Sequence, residues 1–180
     1  MEPSSRPPKD VAVPARSLTA LRNALREEAG PLAAIHALQA AGWEAGRDFH
    51  EGFEDALGTP SDDLAEDDFW EGLAAFLRIR GWGTLRHSRP HPGVGLLRSL
   101  DWVESDDAED ETQPTCSFSS GMLAGFLSRA AGGPIAVLQV ACRGRGDEAC
   151  SFAFGSEATI HELYGLLLED GTFEQALQRL

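Results

Sequence analysis

No stretch of this sequence approaches the roughly 18–20 consecutive apolar residues that a bilayer-spanning helix requires, which excludes an integral membrane helix. Its start, Met1-Glu2-Pro3-Ser4-Ser5-Arg6-Pro7-Pro8, has no apolar segment behind a basic end. A secretory signal is therefore not expected, and the expected location is cytoplasmic and thiol-reducing. Cysteine is scarce: there are three, an odd number that fits a disulfide framework poorly. Basic charge is scarce too. With 15 Lys and Arg against 29 Asp and Glu the net charge is −14, which opposes binding to nucleic acid or to an anionic membrane surface. Also lacking are an internal repeat, a Gly-x-Gly-x-x-Gly loop between strand and helix, and a convincing Ser/His/Asp set, so no catalysis is expected from the residues themselves.

What is there is the composition of an ordinary folded domain, 180 residues at 42% hydrophobic and 24% charged. A chain of this size buries about 70% of its unfolded surface and needs neither disulfide nor metal to fold. Residues 1–16 hold four of the ten prolines and are expected to form a disordered arm, leaving a single domain over residues 17–180. The acidity is local. Residues 48–71 carry ten acids and residues 101–113 carry seven, with no Lys or Arg in either stretch. Each reads as a solvated face or as a contact surface for a partner protein.

From Ser17 the pattern turns helical, with Leu18, Leu21 and Leu25 at spacings of three and four. Gly30-Pro31 suits one helix end and the next helix start. The second apolar stripe runs Ile35, Leu38, Gly42, Gly46, Phe49 and Phe53. Two glycines on a buried face predict close approach of another backbone, either a partner helix or the other subunit of a homodimer; the alternative is a helix broken near Gly42. A third helix is predicted with Thr59 as cap, Pro60 at its first position, and Phe69, Leu73, Phe76 and Leu77 facing in. Strands are predicted over residues 82–87 and 94–103, then an exposed loop over 104–112 and a helix over 120–131. Two more strands, 135–142 and 150–154, flank a hairpin loop, and two helices close the chain, the last capped at Thr172. Helices before and after strand pairs predict an α+β fold, a mainly antiparallel twisted sheet packed with helices.

Cys116, Cys142 and Cys150 all fall in the last third. A hairpin holds its two ends side by side and a helix start can supply a third thiolate, so the trio is either a metal site or three free buried thiols. The segments Cys116-Ser117-Phe118-Ser119-Ser120-Gly121, Gln139-Val140-Ala141-Cys142 and Gly146-Asp147-Glu148-Ala149-Cys150-Ser151-Phe152 resemble the 4-vinyl-reductase domain family. That family is similar in fold to small subunits of the vesicle-tethering TRAPP complex and to sensor domains of bacterial activators that respond to phenols and other aromatics. The resemblance implies a zinc held by Cys116, Cys142, Cys150 and a fourth ligand at the position of Gln139, where the family has Glu. Strict strand alternation puts Gln139 and Cys142 on opposite faces, so the strand is expected to bulge or end near Ala141. The resemblance also implies a pocket between helices and sheet for an apolar or aromatic molecule. Candidate lining residues are Trp43, Phe49, Trp70, Trp82, Trp102, Phe118 and Phe126. Such a sensor would act through a separate protein, since the chain shows no ATPase or DNA-binding segment. A dimeric adaptor joined through Gly42 and Gly46 is the second reading, and a role in reducing a tetrapyrrole vinyl group is the third.

Overall fold

The computed structural model describes residues 10–105 and 113–180. Of the expected N-terminal arm, residues 1–9 lie outside the described residues; Asp10 forms an ion pair with Arg80 at 3.0 Å. Helix α1 (Arg16–Ala29) and helix α2 (Pro31–Leu57) meet at Gly30, whose φ of 86° makes the corner, with Pro31 opening α2. The inward residue of α1 is not the leucine stripe: Leu21 is 47% exposed, whereas Arg22 is buried. Gly58 in the left-handed conformation ends α2.

Helix α3 (Glu66–Ile79) starts later than its sequence signals predict, with Ala65 preceding it rather than Thr59. Ser61 is the reason. Its backbone N–H and its hydroxyl both donate to the Glu54 carboxylate, at 2.7 and 3.0 Å, which draws residues 61–63 into a separate 3₁₀ turn. Strands β1 (Arg86–His91) and β2 (Val94–Ser99) form a hairpin, both shorter than predicted or shifted by a few residues. Helix α4 (Ser117–Ala130) begins just after Cys116, and strands β3 (Ala136–Ala141) and β4 (Cys150–Gly155) complete the sheet. Helices α5 (Glu157–Asp170) and α6 (Phe173–Arg179) close the chain; the Thr172 hydroxyl accepts from Gln175 N–H as its sequence predicts.

The sheet order is β1-β2-β4-β3, antiparallel throughout, so the fold is α+β. Alternation along the strands builds two cores. Leu97, Phe152, Phe154 and Val137 face α2, α3 and α4, while Val94, Ala153, Leu138 and Val140 face α5 and α6.

Helix α2 is unbroken at its glycines. A Cβ at Gly42 would overlap the Phe118 carbonyl, and one at Gly46 the Met122 carbonyl; Gly121 and Gly125 of α4 abut the Gln39 and Trp43 carbonyls in return. The close backbone approach predicted from sequence is thus real and lies inside one chain. Gly42 and Gly46 are buried in this seam, which corrects their expected place at a dimer interface.

Candidate metal centre and ligand cleft

Cys116 directly precedes α4, Cys142 ends the β3 side of the hairpin, and Cys150 opens β4. Their sulfurs all lie within 4.8 Å of one another and all three residues are buried. The Cys116 and Cys150 sulfurs are 3.9 Å apart, matching the roughly 3.8 Å between thiolates of a tetrahedral site with Zn–S bonds of about 2.3 Å. The predicted bulge is present. Gln139 pairs with Phe152 and Ala141 with Ser151, so one extra residue of β3 turns Cys142 back to the Gln139 face.

Gln139 lies beside the trio, but its amide serves the backbone: Oε1 accepts from Cys116 N–H at 3.0 Å and Nε2 donates to the Ala141 carbonyl at 3.2 Å. It clips the helix start to the bulge, and three sulfurs are the donor set that the fold brings together. Hydrogen bonds from the Cys116 and Cys150 thiols, helped by Thr115, hold Cys142 toward the thiolate; hydrogen bonding to Cys142 and Cys150, with burial, pushes Cys116 up. Clustered soft sulfurs with one poised thiolate fit a zinc ion, which would join hairpin and helix start in a structural role.

Glu104 is buried beside this region and was hidden in the sequence within an acidic run. Its carboxylate accepts from Phe118 N–H at 3.1 Å, from Ser119 N–H at 2.8 Å and from the Ser119 hydroxyl, so it caps α4 in place of the backbone's own turn. Burial nevertheless raises its pKa from the ordinary 4.5 to about 7. Between these values the folded protein keeps a proton that the unfolded chain has released, so this contribution to stability is full below pH 4.5 and is lost as pH rises to about 7. Measured by urea unfolding across that range, the native sequence should lose on the order of 3 kcal/mol relative to Glu104→Gln.

The seven aromatic candidates separate. Trp102 and Phe126 are core residues, 0% and 2% exposed, with the Trp102 indole N–H donating to Ser119 at 2.8 Å. Trp82 stacks on Phe118 and meets Phe49 edge-on, filling the space between α2, α4 and the segment after α3. Trp43 lines a different surface cleft with Arg47 and Arg129. Trp70 alone of the seven lines an apolar cleft of about 340 Å³, whose other walls include Phe69, Leu127, Ile135 and Phe154. Phe154 reaches it because its ring occupies the space a side chain on Gly95 would take.

The Trp70 ring stacks on His87 at 3.9 Å, yet its buried indole N–H has no hydrogen-bond partner. Ser61, at the cleft wall, lies 2.9 Å from His50 Nε2, and His50 Nδ1 is likewise buried without a partner. Burial holds both His50 and His87 below the usual imidazole range. Sequence periodicity had marked Phe69 only as core; the roles of Ser61, His50 and Phe154 carried no sequence signal, because they depend on which elements meet.

The family model of the 4-vinyl-reductase domain matches residues 101–156. No curated protein matches the chain. Among solved structures, the chain is similar to the phenol-responsive sensory domain of the transcription activator PoxR, crystallised with phenol, at 18% identity and a TM-score of 0.70, covering 86% of this chain and 82% of that one. It is also similar to a trafficking protein particle complex subunit 3 from Naegleria fowleri, covalently bound to palmitic acid, at 14% identity and TM-score 0.64, covering 78% and 91%. A vinyl-4-reductase family protein from Methanocaldococcus jannaschii aligns at 15% identity and TM-score 0.54, covering 81% and 83%. These likenesses show a shared fold.

Proposed function

With residues 101–156 forming a 4-vinyl-reductase domain, we propose that this chain is a small-molecule sensor module that takes an apolar or aromatic ligand in the cleft at Trp70. The observation that carries the reading is the unpartnered indole N–H of Trp70 at an aromatic wall. A buried donor without an acceptor costs roughly 1–3 kcal/mol, and a ligand with a hydroxyl or carbonyl oxygen would supply the acceptor. The cleft is of ligand-pocket size, about 340 Å³ against the usual 300–1,000 Å³, with apolar walls and few polar groups. The phenol-bound structure of the PoxR sensory domain, which has this fold, supports the same reading. The proposed activity is binding, passed on through contacts with a partner protein, with zinc at Cys116, Cys142 and Cys150 securing the hairpin beside the cleft. The expected contact surface over residues 104–111 lies mostly outside the described residues.

Titration with a panel of phenols and alkylbenzenes, followed by tryptophan fluorescence and calorimetry, should give saturable one-to-one binding. Trp70→Ala should weaken the best ligand at least about tenfold, and Trp70→Phe should penalise oxygen-bearing ligands more than hydrocarbons. Unsaturable signals across the whole panel would remove the sensor reading. The adaptor reading is favoured by one observation, the exposure of Leu21, Leu32 and Ile35 at 47%, 65% and 36% on α1 and α2. Sedimentation as a monomer at micromolar concentration would remove that one.

A further inference from the structure

We infer that the cavity between α1 and α2 is a second binding site, built around Arg22 for a small organic carboxylate. Arg22 is the buried residue of α1, only 6% exposed. A guanidinium carries five N–H donors and no acceptor, and buried ones are ordinarily paired. This one is not: its Nε is buried without a partner, and Nη1 reaches the Thr115 carbonyl only at 3.5 Å. The buried carboxylate whose charge interacts with it, Glu104, is committed to the first turn of α4. The missing acceptor must therefore come from outside the chain.

Space for it exists. Arg22 lines a cavity of about 80 Å³, several times the roughly 10–15 Å³ one water needs, together with Arg26, Ala34, Ile35, Leu38 and Thr115. Two guanidiniums one helical turn apart select an anion, and the edge of a guanidinium matches the two oxygens of a carboxylate. The alanine, isoleucine and leucine walls favour a short hydrocarbon tail over a fully hydrated inorganic ion. The site is separate from the Trp70 cleft and does not depend on it. It is tied to the metal candidate through Thr115, whose hydroxyl lies 3.3 Å from the Cys142 sulfur. Occupancy would fasten α1 to the turn that carries Cys116, giving a second input a route to the N-terminal helix.

The test is calorimetry and thermal melting with acetate, butyrate and benzoate against chloride and phosphate at equal ionic strength. Organic carboxylates should bind saturably and raise the melting temperature, while chloride and phosphate should not. Arg22→Met, which replaces the buried charge with an apolar chain of similar length, should fold and lose the shift, while Trp70→Ala should keep it. Arg22→Lys, which retains charge but not the two-pronged edge, should bind at least about tenfold more weakly. Should Arg22→Met fail to fold, isotope-labelled butyrate on the native protein should show contacts to the Ala34, Ile35 and Leu38 methyls. Equal shifts with all anions, an unchanged shift in Arg22→Met, or no binding at millimolar carboxylate would each overturn the site.

Discussion

Gly46→Ala should destabilise this protein by about 3 kcal/mol or more, while the same change at Gly165 should stabilise it by roughly 0.5–1 kcal/mol. Both glycines lie in helix interiors, where alanine is the better helix former. Gly165 is exposed on α5 with nothing within 4 Å of where a methyl would stand. At Gly46 the methyl would meet the Met122 carbonyl and the Phe126 amide, both backbone atoms of α4. Backbone cannot rotate away as a side chain end can, so α2 and α4 must move apart. That separation would open the most extensive contact between elements among the described residues and disturb Cys116 and Phe126, which hang on α4. Urea unfolding of the two variants side by side checks the opposite signs. A Gly46→Ala protein as stable as the parent would mean the seam is looser than its geometry requires.

Cys142→Ser should remove bound zinc and lower the melting temperature by about 6–12 °C, the equivalent of roughly 3 kcal/mol in a chain of this size. The three sulfurs come from the hairpin and the start of α4, elements joined elsewhere by the Gln139 clip and the Asp147 carboxylate, which accepts from Cys142 N–H at 2.7 Å. A metal there would link β3, β4 and α4 at one point, and its loss leaves three buried sulfurs with little but each other. A strong chelator should produce the same shift in the native protein and no shift in Cys142→Ser. Elemental analysis after reducing purification should find one zinc per chain. Metal-free protein with a chelator-insensitive melting curve would defeat the metal reading and leave a cluster of hydrogen-bonded thiols.

Much of the site was legible in the sequence. The cysteine trio could be singled out because hairpin ends are neighbours wherever the hairpin packs, and the bulge followed from the pleat, which otherwise sends Gln139 and Cys142 to opposite faces. The glycine pair on α2 announced a close backbone contact, since a buried face without side chains has no other use for the space. The use of Gln139 as a clip was not legible, because its partners, Cys116 N–H and the Ala141 carbonyl, are set by how the bulge twists.

By itself, then, the sequence determined the helices and strands in their order, the α+β class, the cysteine cluster and the need for a bulge. These rest on local periodicity, turn chemistry and covalent reach, which neighbouring residues carry among themselves. The tertiary structure alone decided that the glycine seam closes within one chain and that Trp70 lines a cleft while Trp102 and Phe126 fill the core. It alone buried Glu104 and left Arg22 short of an acceptor. Periodicity reports which residues share a face, and says nothing of what that face meets; burial and unpaired polar atoms arise only when distant elements come together.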